Sequence, residues 1–272
     1  MSAWRRAPAP AKLNLALVVG PLRANGKHEV VTVLERLSLA DTVAVRPAPS
    51  TRVSGFEEDT LVGAALEAIS ASAVGAPRFE ARIEKRIPVA AGLGGGSSDA
   101  AAALLLANGL LDAPLPVEEL GRIAATLGAD VPFFLGDGAQ LGTADGTALQ
   151  AIVLPRDYAI LLALPRGESK ASTRDVYAAF DARGGARGFD ARRTALHAAL
   201  ARVERAVDLA GLPPSDLAAS PLADELRALG AFRADVTGAG PVVYGLFPTP
   251  ADAHRAAATV EAKTTCWVVQ PG

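Results

Sequence analysis

The chain has 272 residues, half of them hydrophobic, and a formal net charge of −2. That length allows one large domain or two modest ones, and the near-neutral balance argues against nucleic acid or an anionic membrane surface as a partner. The single cysteine, Cys266, excludes an internal disulfide, no apolar run reaches the roughly 20 residues of a membrane span, and the start of the chain lacks the apolar stretch of a signal peptide. A soluble cytoplasmic protein, monomeric or weakly dimeric, is the expectation. Cys266 lies beside Trp267 in a strand-like ending and reads as a core residue rather than a nucleophile.

Residues 11–19 alternate with period two, which marks a strand. Leu13, Leu15 and Leu17 point one way, and Lys12, Asn14 and Ala16 the other. Lys12 and Asn14 therefore share a face, either the wet side of a half-buried strand or a functional surface. Residues 20–28 form a polar loop with Asn25-Gly26 as its turn signal. Strands are expected at 29–39, 41–46 and 51–54. Asp59 N-caps a helix running to about Ala73. Residues 78–85 form a strand with Phe79, Ala81 and Ile83 on one side.

That strand leads into Pro88-Val89-Ala90-Ala91-Gly92-Leu93-Gly94-Gly95-Gly96-Ser97-Ser98-Asp99, and an Ala/Leu-rich helix is expected over 100–111. Four glycines within five residues let a ligand approach the backbone closely. The unpaired N–H groups and positive dipole end of the following helix then favour an anion, phosphate above all. The alternative is a glycine turn that lets a helix pack tightly. The dinucleotide fingerprint fails because Ser97 stands where it needs its third glycine, and a Walker loop fails because no lysine precedes the serine pair.

A second helix spans 117–127. It runs into Leu127-Gly128-Ala129-Asp130-Val131-Pro132, where the proline biases Val131 toward an extended conformation. Asp130 is either a turn carboxylate or a partly buried one in need of a partner, for which Lys12 is a candidate. Short strands follow near 140–141 and 149–154, then an apolar strand at 158–164 and a loop at 165–170. Ser172 or Thr173 caps a helix carrying Val176, Tyr177 and Phe180. A basic connection over 182–188 leads to a helix at 192–209, with His197 on its surface. The remaining order is a helix at 221–229, a strand at 231–237, a turn at Gly238-Ala239-Gly240-Pro241, a strand at 242–247, a helix from Thr249 or Pro250 to about Ala262, and a strand at 264–269. Strand–helix–strand–strand–helix–strand from Tyr158 onward suggests a split βαβ, ferredoxin-like layer. The expected domains are 1–154 and 155–272.

The glycine loop resembles the phosphate loop of the GHMP kinases. Three further segments occur in an order known from that superfamily: Pro10-Ala11-Lys12-Leu13-Asn14-Leu15, Asn25-Gly26-Lys27-His28, and Gly128-Ala129-Asp130-Val131-Pro132. Gly238-Ala239-Gly240 looks like its C-terminal glycine motif. Together they resemble the branch that phosphorylates the tertiary 2-hydroxyl of the cytidyl diphosphate of methylerythritol.

The resemblance implies a two-domain α/β protein with a ribosomal-protein-S5-like first domain and a ferredoxin-like second one. It implies ATP on residues 88–98 (Pro88, Val89, Ala90, Ala91, Gly92, Leu93, Gly94, Gly95, Gly96, Ser97, Ser98), with Mg²⁺ to neutralise the phosphates. Asp130 would accept the hydroxyl proton and Lys12 would stabilise charge on the transferring group. Asn14, Lys27, His28, Thr173 and Tyr177 would bind substrate, with Tyr177 stacking on the cytosine. Lys27 departs from the pattern, since an aromatic residue commonly stands beside the histidine; a lysine can contact a diphosphate or lie over a ring. Ala90 and Ala91 replace glycines of some members. Asp99 is a rival carboxylate explained by its place near a helix start. Other acceptors (homoserine, a mevalonate derivative, a sugar) and a nucleotide-binding module without turnover stay open at this level.

Overall fold

A computed structural model describes residues 3–72, 75–167 and 172–272. The expected helix end at Ala73 and the loop residues 168–170 lie outside the described residues. The elements in order are strands β1 (Arg5–Leu22), β2 (His28–Ala48) and β3 (Arg52–Ser54), helix α1 (Leu61–Ser72), β4 (Arg78–Glu84), α2 (Gly95–Asn108), α3 (Val117–Leu127), a 3₁₀ turn (Pro132–Leu135), β5 (Ala139–Thr143), β6 (Ala148–Ile152) and β7 (Ala159–Pro165). Then follow α4 (Thr173–Ala182), α5 (Phe189–Leu200), a 3₁₀ turn (Ala206–Gly211), α6 (Pro221–Ala228), β8 (Arg233–Val236), β9 (Val243–Phe247), α7 (Pro250–Val260) and β10 (Thr264–Val269).

The chain forms two compact units. The first comprises residues 1–11, 39–89 and 94–137, and the second 12–38, 90–93 and 138–272. In the first, the C-terminal half of β2 pairs antiparallel with β4, and β3 pairs parallel with β4. Val43, Val45, Phe79, Ala81 and Ile83 are all buried. They alternate with polar residues on the opposite face, the period of a half-buried sheet. Helix α1 packs on α2 and β4 and buries Val62, Leu66 and Ile69. Asp59 accepts hydrogen bonds from the N–H groups of Val62 and Gly63, as its place in the sequence predicts.

In the second unit the first half of β2 pairs with β5, and β5 with β6. A separate four-stranded antiparallel sheet has the order β10-β7-β9-β8. Numbered from β7, that is the 4-1-3-2 order of the split βαβ layer expected from Tyr158. Helices α6 and α7 cover it, and Leu161, Leu226, Phe247, Ala253 and Val260 lie in its core. Cys266 is half-buried against that core, where burial raises its thiol pKa, and its sulfur lies 3.1 Å from the Thr264 hydroxyl.

Several expected boundaries are corrected. Residues 20–28 are not all loop: β1 runs to Leu22, leaving only a five-residue turn before His28. The strands expected at 29–39 and 41–46 are one strand, because Asp41 does not break it; its carboxylate is fully buried and accepts from the N–H groups of Arg86 (2.5 Å) and Ile87 (2.8 Å). Helix α2 starts at Gly95, inside the glycine stretch. Val131 is helical (φ −62°, ψ −42°) and not extended, so local turn packing overrides the influence of Pro132. The helix expected over 192–209 starts earlier and stops at Leu200. Residues 206–211 form a separate 3₁₀ turn, capped by Asp208 accepting from the Arg205 N–H.

Candidate active site

The glycine stretch enters α2 through three left-handed residues at alternate positions, Ala90 (φ 57°), Gly92 (φ 82°) and Gly94 (φ 70°). Alanine adopts that conformation at a cost and glycine does not. Gly94 is the N-cap of α2 and brings no side chain to its N–H groups; no acidic residue stands in the first turn. The first N–H groups of α2, those of Gly95, Gly96 and Ser97, therefore have no acceptor within the helix, an arrangement suited to an anion. Ser98 donates its own N–H back to the Gly94 carbonyl at 2.9 Å.

Within the second unit, residues 90–93 meet β1 and the turn after β8. A Cβ at Gly92 would lie 2.9 and 3.0 Å from the carbonyl oxygens of Gly240 and Thr237, so the glycine loop and the turn after β8 touch backbone to backbone. The Lys12 N–H donates to Leu93 O at 2.9 Å. A Cβ at Gly238 would meet Asn14 Oδ1 at 3.1 Å and Lys12 Nζ at 3.5 Å. This explains a glycine at Gly238, which also has φ 58°.

Lys12 and Asn14 are only 5% and 6% exposed, so the wet-face reading of this strand is overturned: both faces of β1 are buried here. Lys12 Nζ donates to Asn14 Oδ1 at 2.5 Å. Asn14 Nδ2 donates to Thr32 Oγ1 at 2.8 Å, and Thr32 Oγ1 to the Ala16 carbonyl at 2.8 Å. Thr237 Oγ1 accepts from the Asn14 N–H at 3.0 Å. A buried ammonium needs such a polar lining. Thr32 and Thr237 escaped the sequence reading. Thr32 shares its face of β2 with Val30 and Leu34 but also with Arg36 and Ser38, so no pattern marks it, and Thr237 directly precedes the glycine turn.

Behind the first turn of α2, within the first unit, Lys85 Nζ bridges Asp41 and Asp99, the latter at 2.7 Å. Asp99 is the fifth residue of the helix and 1% exposed. Its place is set by Lys85, not by the dipole at the first turn as expected from sequence. Burial raises the Asp99 pKa, against the pull of Lys85. Burial also opposes charge on Lys85, but the hydrogen bonds to Asp41 and Asp99 outweigh it and raise that pKa. Asp99 Oδ1 and Ser98 Oγ are buried with no hydrogen-bond partner among the described residues. Asp130, also of the first unit, is half-buried in the turn between α3 and Pro132.

The other expected substrate residues lie in the second unit. His28 opens β2 and is buried. Its Nδ1 lies 2.8 Å from the Gly20 carbonyl, and its ring stacks on Tyr177 with centroids 5.0 Å apart and planes at 29°. Thr173 is exposed in the first turn of α4, whose N-cap Ser172 accepts from the Asp175 N–H at 3.1 Å. Lys27 takes no part in the His28–Tyr177 stack. It ion-pairs with Asp145 in the β5–β6 turn at 3.1 Å, and Asp145 also accepts from Thr147 Oγ1 at 2.6 Å. The Thr147 hydroxyl first, and Lys27 after it, hold the Asp145 carboxyl down at about 2.

Comparison with known proteins gives a consistent result. The family model described as GHMP kinases N terminal domain matches residues 60–138, and that described as GHMP kinases C terminal matches residues 198–264. A Salinispora arenicola protein named 4-diphosphocytidyl-2-C-methyl-D-erythritol kinase is 35% identical over 96% of this chain and 89% of its own length. A Rhodococcus jostii protein of the same name is 43% identical over 58% of this chain and 54% of its own length. A crystal structure of 4-(cytidine 5'-diphospho)-2C-methyl-D-erythritol kinase superposes with a TM-score of 0.80 at 31% identity, covering 98% of this chain and 100% of that one. Methanococcus jannaschii mevalonate kinase shares the fold at a TM-score of 0.75 and 11% identity, covering 100% and 99% of the two chains.

Proposed function

Because the chain belongs to the GHMP kinase family, we propose that it transfers the γ-phosphoryl group of ATP to the 2-hydroxyl of 4-diphosphocytidyl-2-C-methyl-D-erythritol. The observation that carries this reading is the buried Lys12 ammonium, fixed on Asn14 beside the glycine turn and the Gly238 turn. A lysine held in such a lining is a fixed positive charge for a transferring phosphoryl group, and phosphoryl transfer asks for positioning and charge more than for covalent chemistry. The relatives named above supply the acceptor.

In this reading ATP phosphates lie on residues 88–98 and the first turn of α2. Asp130 takes the proton of the attacking hydroxyl, and Lys12 stabilises the charge that develops. Asn14 holds Lys12 and touches the substrate, and His28, Tyr177 and Thr173 bind the cytidyl end. Lys27, an exposed cation paired with Asp145, is suited to a diphosphate and not to stacking. The division at 154/155 belongs to the same reading and is supported by the two family-model matches lying on either side of it.

Among the described residues no group of three or more His, Cys, Asp or Glu is arranged to hold a metal ion. The donors present fit a magnesium ion brought in on the nucleotide phosphates, which keeps most of its own water shell, with the unpartnered Ser98 hydroxyl as the fitting protein oxygen. Bound there, it would neutralise phosphate charge. No described helix is long and apolar enough to cross a membrane. The same reading takes the protein to be cytoplasmic and a monomer or weak homodimer.

The test is incubation with magnesium-ATP and the cytidyl diphosphate of methylerythritol, with homoserine and mevalonate as parallel acceptors, and product detection by mass. A phosphorylated cytidyl product is expected. It should fall by roughly 100-fold or more in Asp130→Asn, with ATP binding kept. Near-normal turnover of that variant would remove Asp130 as the base. Turnover of a parallel acceptor alone would overturn the substrate.

A further inference from the structure

A chain of hydrogen bonds runs from the Lys12 ammonium across to β2 and back to β1, and the chemistry of its two ends fixes the direction of every bond. The ammonium can only donate, so Asn14 meets it with the amide oxygen, Oδ1, at 2.5 Å. At the far end the Ala16 carbonyl oxygen can only accept, so the single hydroxyl hydrogen of Thr32 goes to it, at 2.8 Å. Thr32 Oγ1 is then an acceptor toward Asn14, whose Nδ2 donates to it at 2.8 Å. Both ends demand the same orientation of the Asn14 amide.

One hydrogen bond pins an atom of an amide, whereas two pin its plane. Lys12 alone would leave the amide free to turn about Oδ1. The bond from Nδ2 to Thr32 removes that freedom, and with Asn14 and Thr32 both buried no bulk water stands in for it. Thr32 is itself held. It lies opposite Gly142 in the pairing of β2 with β5, and a Cβ at Gly142 would lie 3.0 Å from Thr32 Cγ2. The methyl thus rests over the glycine, and a β-branched side chain so placed has little freedom left at χ1. The backbone of Asn14 is fixed separately, by its N–H on Thr237 Oγ1 at 3.0 Å, so Thr32 governs the side chain of Asn14 alone.

We propose that Thr32 is a positioning residue for the phosphoryl transfer: its hydroxyl fixes the plane of the Asn14 amide and, through Oδ1, the place of the Lys12 charge. Thr32 acts through Asn14 and not on the reacting atoms. The inference rests on the reading of Lys12 as the charge that meets the transferring group. A misplacement of about 1 Å at such a charge costs up to about 100-fold in rate.

The experiment is steady-state kinetics with magnesium-ATP and whichever acceptor the wild type phosphorylates. The proteins compared are the wild type, Lys12→Met, Thr32→Val, Thr32→Ser, Asn14→Ala, and the double variant carrying Asn14→Ala and Thr32→Val. Thr32→Val keeps the shape and removes the hydroxyl, so kcat should fall by roughly 10- to 100-fold while KM for ATP stays within about twofold. Thr32→Ser keeps the hydroxyl and should hold kcat within about threefold of the wild type. With Asn14→Ala already present, Thr32→Val should cost no more than about twofold, because the amide it acts through is gone. Melting temperatures check that each variant is folded, and Thr32→Ala replaces a valine variant that is not. A wild-type kcat without the hydroxyl, or an equal loss with and without the Asn14 amide, overturns the role of Thr32 and leaves Lys12 standing. Near-normal turnover of Lys12→Met, or a wild type that phosphorylates no acceptor, overturns both.

Discussion

At the scale of single residues, two buried carboxyl systems decide how stability responds to substitution and to pH. Lys85 is the counter-ion of both Asp41 and Asp99. Its removal leaves two carboxylates in a nearly dry site, so Lys85→Met should cost about 3–5 kcal/mol. Asp99→Asn should cost much less, because Asp41 still holds the lysine. Urea unfolding of the two variants side by side checks the asymmetry, and equal losses would contradict it. Glu35 is the second system. It is 2% exposed and its Oε2 has no hydrogen-bond partner among the described residues. Burial, partly offset by the Arg156 charge and the backbone hydrogen bond at Arg36, raises its pKa from 4.5 to about 7. The folded state therefore keeps this proton to higher pH than the unfolded state. Its contribution to stability is fully present below pH 4.5 and is lost as pH rises through 7. A shift of that size corresponds to about 3 kcal/mol. Between pH 5 and pH 8 the wild type should lose stability to urea, and Glu35→Gln should flatten that slope. A parallel slope in the variant would assign the pH dependence to other groups.

At the scale of elements, the glycine loop was readable as a strand-to-helix turn from residue types alone, but its shape was not. Sequence could not show that Gly92 is pressed against the backbone of Thr237 and Gly240, since that contact joins positions far apart in the chain. Gly92→Ala combines a left-handed backbone with carbonyl oxygens at about 3 Å, and should cost about 3 kcal/mol with loss of activity. Gly121 is the contrast: it lies inside α3 with open space where a Cβ would go, so Gly121→Ala should stabilise by roughly 0.5–1 kcal/mol. Thermal melts of the two variants separate glycine that is required from glycine that is tolerated. Helix starts were legible wherever a side chain caps them, as at Asp59, Ser172, Ser220 and Thr249. Strand ends were not, because β1 and β2 pass through Gly20 and Asp41 on the strength of tertiary partners. Of the site, the strand bearing Lys12 and Asn14 and the loop were visible as motifs. The threonines that hold Asn14, and the Asp145 that takes Lys27, were invisible, since single hydroxyls and turn carboxylates carry no pattern.

At the scale of the whole molecule, the sheet expected after Tyr158 forms as expected, yet the unit around it also needs strands from the start of the chain. Asp216 accepts from the Val19 N–H at 2.7 Å and from Arg192 Nε at 3.0 Å, and the Asp216 N–H donates to the Leu17 carbonyl at 2.9 Å. The fully buried Tyr244 hydroxyl donates to the Leu15 carbonyl at 2.8 Å, and Thr237 accepts from the Asn14 N–H. Phe180 and Leu217 bury against Leu17, Val19 and Val30. A fragment of residues 155–272 keeps every strand of the β10-β7-β9-β8 sheet but loses these partners. Each buried polar group left without one costs about 1–3 kcal/mol, and the apolar face of Phe180 and Leu217 returns to water. Several such losses match the whole stability of an ordinary domain. The fragment should therefore keep strand and helix signals in the far ultraviolet but lose fixed aromatic packing in the near ultraviolet, and residues 1–154 supplied in trans should restore it. A fragment that melts cooperatively on its own would mean that the four-stranded sheet and its helices suffice without β1 and β2.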